Sequence, residues 1–327
     1  MINFRFHLAS LIAVFLALAI GIVMGSTVVK EATVKGLRAE IHRVERSSNA
    51  RQRENNALTK QVSDLQKYVR QAAPHIVLGS LSGVTVGIVA VRGVDGAVAR
   101  STAELVQQAG ASSPGILWLE PTWSLKNPDD ARKLGGLLGD AGASVKRVRD
   151  DALVALANRL AGTATSTATT STTTTTASAT TGGDLLSDLV AGGFAAFENV
   201  GPQNGNPFTL SAFPGVGSRV LVVNATDASA DQQALVPPLA HALAAAKTPT
   251  MVANVFHEQR GKPGRAAGVA AIRDDSMLSK QVSTVDDLDL GEGQVASVLA
   301  LADLGRRVGH YGYGDGASSA LPSATQP

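Results

Sequence analysis

Cysteine is absent from all 327 residues, and this absence excludes disulfide frameworks, thiolate metal centres and cysteine nucleophiles together. Aromatic residues make up only 4% of the chain and charged residues 17%, with a formal net charge of +2. A charge balance this close to zero does not indicate a nucleic-acid-binding protein. The length is enough for one medium-sized packed domain with accessory segments, so metal or disulfide staples are not needed for stability.

A long uncharged run lies close to the N-terminus. From Leu8 to Val29, 22 consecutive residues carry no charge, and as a helix they would reach about 33 Å, enough to cross a bilayer. The run exceeds the apolar core of an ordinary signal peptide. Residues 1–29 are therefore predicted to form an uncleaved transmembrane anchor, with a cleaved signal peptide as the alternative.

Charge and composition disagree about the side of the membrane on which the rest of the chain lies. One Arg precedes the apolar run and five Lys or Arg residues follow it closely, which predicts a cytoplasmic C-terminal domain. Residues 163–181, however, contain 12 Thr, 3 Ser and 4 Ala, a composition typical of exported segments that carry O-linked glycans. The same composition predicts a disordered insertion over residues 162–183. These two observations leave the orientation open.

Residues 30–74 carry a heptad pattern. Nine of twelve positions, spaced alternately by three and four, are apolar, and Pro74 marks the predicted end of the helix. The pattern predicts a parallel coiled-coil homodimer, with a helix packed on its own domain as the alternative. Residues 30–75 hold ten Lys or Arg against five Asp or Glu, and Tyr68 is their only aromatic residue. Without further aromatic residues to stack on bases, this positive charge is better explained by a solvated coiled-coil exterior than by nucleic-acid binding. The twelve seam positions are Val34, Leu37, Ile41, Val44, Ser48, Arg51, Asn55, Leu58, Val62, Leu65, Val69 and Ala72.

From residue 75 onward, strand and helix patterns alternate. This alternation predicts an α/β fold, with a Rossmann-like, mostly parallel sheet in a domain over residues 75–327. The Gly-, Ser- and Pro-containing residues 314–327 are predicted to be a disordered tail. Buried strands are predicted at 84–91, 115–123, 219–225, 250–256 and 267–273, and helices at 95–108, 127–138 and 231–246.

Motifs of common enzyme and cofactor sites are missing. No GxxxxGK[ST] phosphate loop occurs, GSLSG has Leu81 where a nucleophilic serine is needed, and no His pair has metal-ligand spacing. A non-enzymatic protein without a tightly bound cofactor is therefore expected. His310 with Asp315 is the best local pairing for a copper(II) site, and the acidic run at Asp286 and Asp287 could gather a cation. The alternative is a Gly-rich terminal loop with packed rings, preceded by capping or solvated carboxylates.

Three stretches resemble the mycobacterial copper transport protein B (MctB) family: HLASLIAVFLALAIGIVMGS at 7–26, STVDD at 283–287 and GHYG at 309–312. The family is known for keeping cellular copper low in actinobacteria and is described as channel-forming in the mycobacterial outer membrane. The resemblance implies an envelope protein of copper homeostasis, with the copper ion as its transported ligand and its α/β domain on the non-cytoplasmic side.

A channel would require homo-oligomers or partners, because one apolar helix per chain cannot enclose a pore. The chain also lacks the series of amphipathic strands typical of an outer-membrane barrel. A non-catalytic envelope scaffold or binding module on a coiled-coil stalk is the alternative function.

Overall fold

The computed structural model describes residues 4–140, 142–162, 184–200, 209–213, 217–225, 234–255 and 267–323. The chain divides into two compact units, Met1–Leu65 and Gln66–Pro327. The predicted Thr-rich insertion lies outside the described residues, apart from Gly162, which ends a helix in the left-handed conformation with φ of 69°. The last four residues of the predicted tail, 324–327, also lie outside them.

The first unit belongs to one long helix, α1, which runs from Phe4 to Val77. Its segment Phe4–Gly25 is apolar and long enough to cross a membrane, which fits the predicted single-pass anchor. Further along α1, the apolar seam side chains between Val34 and Leu65 are all exposed. No described residue of the first unit covers this heptad stripe, and the coiled coil stays a prediction.

The last turns of α1 belong to the second unit and pack into its core. Ala73 and Val77 are buried in the domain core, and half-buried Val69 packs against Gly291. The helix passes Pro74 and ends at Val77, beyond the predicted stop. This is tolerated because the proline lies in the final turn, where its missing N–H costs one helical hydrogen bond.

A seven-stranded sheet forms the centre of the second unit, in the order β3-β2-β1-β4-β5-β6-β7. All pairings are parallel except that of β2 with β3, so the predicted α/β fold with a mostly parallel sheet is confirmed. The order matches that of a Rossmann sheet, with its reversal between β1 and β4. The strands are β1 Val86–Val91, β2 Ile116–Leu119, β3 Ala195–Glu198, β4 Arg219–Ala225, β5 Thr250–Val255, β6 Val282–Val285 and β7 His310–Tyr311.

Helices cover both faces of the sheet, and the strands alternate their side chains between two cores. In β4, for example, Val222 packs with the described helices between residues 128 and 274. Leu221 packs on the other face, with the end of α1 and with the helices at 96–108 and 291–303. Burial on both faces explains why these strands are continuous apolar runs. The helices after α1 are α2 Gly96–Gln108, α3 Pro128–Leu137, α4 Val145–Ala161, α5 Leu185–Ala191, α6 Val236–Ala245, α7 Ala267–Asp274 and α8 Gly291–Asp303.

The predicted start signals of two helices act as expected. Asp95 caps α2 by accepting the Ala97 N–H at 2.8 Å, and Asn127 caps α3 by accepting the Asp129 N–H at 3.0 Å. Helix α6 begins at Val236, with prolines in its first turn, where their missing N–H groups have no helical partner to lose. The earlier predicted start of α6, at Asp231, lies outside the described residues.

The predicted strand over residues 267–273 is wrong, because this segment forms α7. Its buried residues Val269 and Ile272 are three apart and therefore share one face of a helix. The alanines between and beside them favour helix over strand. The sheet is completed instead by three strands that the apolar pattern does not predict. These are β6 and β7, which overlap the STVDD and GHYG segments, and antiparallel β3.

Residues 314–323, which fall in the predicted tail, contact the edge of the sheet. Ser319 pairs with Tyr311 beside β7, and the Ser318 N–H donates to the His310 carbonyl at 2.7 Å. The tail thereby extends the sheet edge next to the predicted site residues.

Candidate functional site

The predicted site residues meet at the carboxyl end of β6. Side chains alternate along this strand, so Thr284 and Asp286 face α7, and Arg273 near the end of α7 reaches both of them. The Nη1 atom of Arg273 lies 2.8 Å from Oδ2 of Asp286, and the two side chains are only 2% and 9% exposed. The centre of the site is therefore a buried ion pair. This pair, together with Thr284, Asp287 and His310, is called the Arg273 cluster.

Arg273 also fixes the chain that follows β7. Its guanidinium donates to the Tyr311 carbonyl at 3.0 Å and to the Asp315 carbonyl at 2.9 Å. Asp286 accepts the Tyr313 N–H at 2.8 Å and the Gly314 N–H at 3.1 Å. The ion pair thus holds the loop after β7 from both sides through charge-assisted hydrogen bonds.

His310 is held by both of its ring nitrogens. Nε2 lies 3.0 Å from the Ser279 carbonyl, which can only accept, so the network assigns the proton to Nε2. Nδ1 then accepts from the Thr284 hydroxyl at 2.9 Å, and that hydroxyl accepts from Nε of Arg273. Burial, and to a lesser extent the charge of Arg273, lowers the pKa of His310 and favours this neutral form.

Asp287 has an unusual backbone and an unusual pKa. Its φ of 59° lies in the left-handed region, which Asp tolerates better than most residues with a side chain. Burial, a hydrogen bond with Asp286 and the charge of Asp286 together raise the pKa of Asp287 to about 7. Asp287 therefore titrates close to neutral pH, while Asp286 is paired with Arg273.

Two glycines make room for this cluster. A Cβ at Gly312, where φ is 120°, would overlap the Asp286 carboxylate, and a Cβ at Gly309 would overlap the Tyr311 hydroxyl. The Gly309 N–H also donates to the Ser283 hydroxyl at 3.2 Å. The segments STVDD and GHYG are thus parts of one structure, in which the glycines permit close packing of the chain around the ion pair.

The structure brings the four predicted metal ligands to one edge of the sheet but engages them in other contacts. His310 has both nitrogens in hydrogen bonds, Asp286 pairs with Arg273, and Asp315 contributes its carbonyl to the same arginine. Among the residues that the structure describes, no group of three or more His, Asp or Glu side chains is placed to hold a metal ion. Copper binding at His310, Asp315, Asp286 and Asp287 stays a prediction.

Sequence reasoning missed Arg273 and Thr284, although they connect the predicted residues. Arg273 was assigned to a strand, where its side chain had no defined target. As a basic residue in the last turn of a helix it is a recognisable C-terminal feature, so the correct assignment of α7 would have drawn attention to it.

A second polar cluster lies at the carboxyl end of β1, next to the reversal of strand order. Nε of Arg92 donates to both carboxylate oxygens of Glu120, at 3.1 and 3.2 Å, and its guanidinium lies 4.6 Å from the Trp118 ring centroid. Ligands of doubly wound sheets bind near such a reversal. Here the Arg92 charge is already paired with Glu120. The residues that follow β4 and β5, 226–233 and 256–266, lie outside the described part of the chain.

A family model described as "Copper transport outer membrane protein, MctB" matches residues 1–322. The chain belongs to the MctB family. The proteins named "Copper transporter MctB" of Mycobacterium tuberculosis (strains ATCC 25618 / H37Rv and CDC 1551 / Oshkosh) are each 29% identical over 343 aligned residues, covering 99% of this chain and all of the relative. The protein of the same name from Mycobacterium leprae (strain TN) is 26% identical, covering 98% of both chains. The MctB match thus includes the apolar helix, the heptad segment and the Arg273 cluster in one chain.

Proposed function

We propose that this protein contributes to copper efflux and homeostasis as a membrane-anchored protein of the cell envelope. The observation that carries the proposal is the match to MctB over residues 1–322, with relatives named copper transporters that align over nearly the whole chain. The apolar helix segment Phe4–Gly25 supports the membrane anchor. Copper is the transported ion in this proposal, and no tightly bound cofactor or catalytic step is part of it.

Copper tolerance tests this role. Deleting the gene is expected to lower growth on copper salts but not on zinc salts, and a plasmid copy of the full chain is expected to restore it. Equal growth of deletion and parent strains across the copper range would contradict the proposal.

The exposed heptad stripe supports homo-oligomer formation, which is one way to build a pore that a single helix cannot enclose. The first seam positions of the heptads include Val34, Ile41 and Val62, and the second include Leu37 and Leu58. β-branched residues at the first position with Leu at the second favour parallel two-stranded coiled coils. We therefore propose a parallel homodimer through residues 34–65.

The cysteine-free chain allows a direct test of this dimer. In a parallel, in-register pair, Leu58→Cys places two thiols across the seam, and mild oxidation is expected to join the chains. Arg53→Cys, on the outward face of the same helix, is the matched control and should stay monomeric. Equal crosslinking of the two variants would contradict the parallel seam.

The proposal places the α/β domain on the non-cytoplasmic side, as the Thr-rich tract and the family description suggest. Lys133 is exposed on α3, so Lys133→Cys is expected to react with a membrane-impermeant maleimide in intact cells. Arg5→Cys, at the N-terminal end of the anchor, should react only after lysis. Protection of Lys133→Cys in intact cells would reverse the orientation.

Copper binding at the Arg273 cluster would require its present contacts to open, because both nitrogens of His310 are engaged. We propose His310, Asp286, Asp287 and Asp315 as the first positions to examine. Cu(II) titration of the full chain should show weaker binding in His310→Gln if this cluster contacts the ion. Equal affinity would place the copper contact elsewhere.

A non-catalytic scaffold is the second candidate, because the exposed stripe of α1 needs a cover whatever the metal chemistry. Recovery of a stable envelope partner by the full chain, together with no measurable copper affinity, would favour it. Tight Cu(II) binding by the full chain would count against it.

A further inference from the structure

A basic groove lies at the amino edge of the sheet, at the opposite strand ends from the Arg273 cluster. It has a volume of about 320 Å³ and is lined in part by Lys247, Thr248, Gln281, Arg306 and Arg307. Lys247 and Thr248 precede β5, Gln281 precedes β6, and the arginines follow α8. We call this feature the Lys247 groove.

Positive charge in the Lys247 groove is only partly neutralised. Arg306 lies 3.7 Å from the Asp303 carboxylate and donates to the Ala302 carbonyl. Within the described part of the chain, the side chains of Lys247 and Arg307 have neither an ion pair nor a hydrogen bond, and both are exposed. The groove therefore presents two open cations, Lys247 and Arg307, beside Arg306, which makes one long ion pair with Asp303.

Further positive charge and a buried hydroxyl adjoin these cations. The guanidinium of Arg219 donates to the Leu301 carbonyl, and burial and then the charge of Arg306 lower the pKa of Arg219. Thr248, only 7% exposed, lines the groove, and its hydroxyl has no hydrogen-bond partner among the residues that the structure describes. A buried hydroxyl without a partner is costly, and an anionic oxygen is a suitable acceptor for it.

We propose that the Lys247 groove binds a phosphate group. A phosphate near neutral pH carries between one and two negative charges, which complement the two open cations. Its oxygens can accept hydrogen bonds from the guanidinium fork of Arg307 as well as from Lys247 and Thr248. The group comes either from a free phosphate or from a phospholipid headgroup. This site is separate from the proposed copper role and does not depend on it.

The test uses the full chain in an uncharged detergent at low ionic strength, where charge interactions are least screened. Calorimetric titration with inorganic phosphate is expected to show saturable binding with one site per chain, and titration with chloride none. Dihexanoyl phosphatidic acid, below its micelle concentration, is titrated in parallel. Tighter binding of this lipid than of phosphate assigns a headgroup site, and equal or weaker binding assigns a free phosphate site.

Matched variants locate the site. Lys247 has a φ of 56°, where Asn is well tolerated, so Lys247→Asn with Arg307→Gln removes both open charges without added backbone strain. This double variant is expected to bind phosphate at least about tenfold more weakly, and Thr248→Val several-fold more weakly. Lys133→Gln removes one exposed charge on α3 and should bind as the wild type does. Absence of saturable binding to either ligand, or wild-type affinity in the double variant, would overturn the proposal.

Discussion

Replacing Arg273 with methionine tests whether the buried ion pair holds the end of the domain together. The substitution keeps most of the side-chain volume but leaves the Asp286 charge, 9% exposed, with two backbone donors, the Tyr313 and Gly314 N–H groups, and with the neighbouring Asp287 carboxyl. Removing one partner of a buried ion pair typically costs about 3–5 kcal/mol. Because those two donors remain, we expect a loss of about 3 kcal/mol at neutral pH.

The measurement is urea unfolding of the full chain in an uncharged detergent, followed by tryptophan fluorescence. The chain has two tryptophans, Trp118 and Trp123, and both are buried in the second unit, so the signal reports that unit and not the apolar helix. Arg92→Met is the matched control, because Arg92 is 41% exposed in its ion pair and should cost about 1 kcal/mol or less.

A double-mutant cycle separates this ion pair from general damage. Asp286→Asn alone should also be costly, since it leaves the Arg273 charge buried. The double variant Arg273→Met with Asp286→Asn should lose at least about 1.5 kcal/mol less than the sum of the two single losses. Additivity within about 0.5 kcal/mol, or a loss for Arg273→Met no larger than that of Arg92→Met, would show that the Arg273–Asp286 pair does not stabilise the domain.

Three further outcomes are expected from urea unfolding of the full chain. The pKa of Asp287 is about 7 in the fold and about 3.9 in the unfolded chain, so the native state holds the extra proton between these values. Stability should therefore fall as the pH rises from about 4 to about 7, and Asp287→Asn should flatten that slope. An unchanged slope would count against the raised pKa of Asp287. Gly312→Ala should lower the free energy of unfolding by more than about 2 kcal/mol, because its Cβ overlaps the Asp286 carboxylate. Gly136→Ala, on α3 with no atom near the new Cβ, should be neutral or stabilising. Equal changes in stability for the two variants would contradict the close packing at Gly312. Asn224 is fully buried, and within the described part of the chain its side-chain amide has no hydrogen-bond partner, so Asn224→Leu should raise stability by about 1 kcal/mol. A marked loss would show that the amide has a function.

The central strands could be predicted from the sequence because burial on both faces makes them continuous apolar runs. The same criterion failed for 267–273, since a short apolar run does not distinguish a strand from a buried helix. β6 and β7 have four and two residues, too few to show a period. Their positions follow from pairing with β5 and with each other, which is tertiary information.

For the candidate site, the sequence indicated its members but not their arrangement. Asp286 and His310 were selected as chemically capable groups, but their partner Arg273 lies 13 residues before the one and 37 before the other, and only the fold brings the three together. Composition alone also predicted disorder beyond residue 313. There Gly314, like Gly312 before it, allows the backbone to pass close to the Asp286 carboxylate.

The most direct test of the copper role is cell-associated copper, measured by elemental mass spectrometry under copper load. Parent, deletion and complemented strains are compared, with zinc measured in the same samples as the reference metal. If the protein exports copper, the deletion strain accumulates copper but not zinc, and the full chain restores the parental copper level. Equal copper in all three strains would contradict the copper role and favour the envelope scaffold.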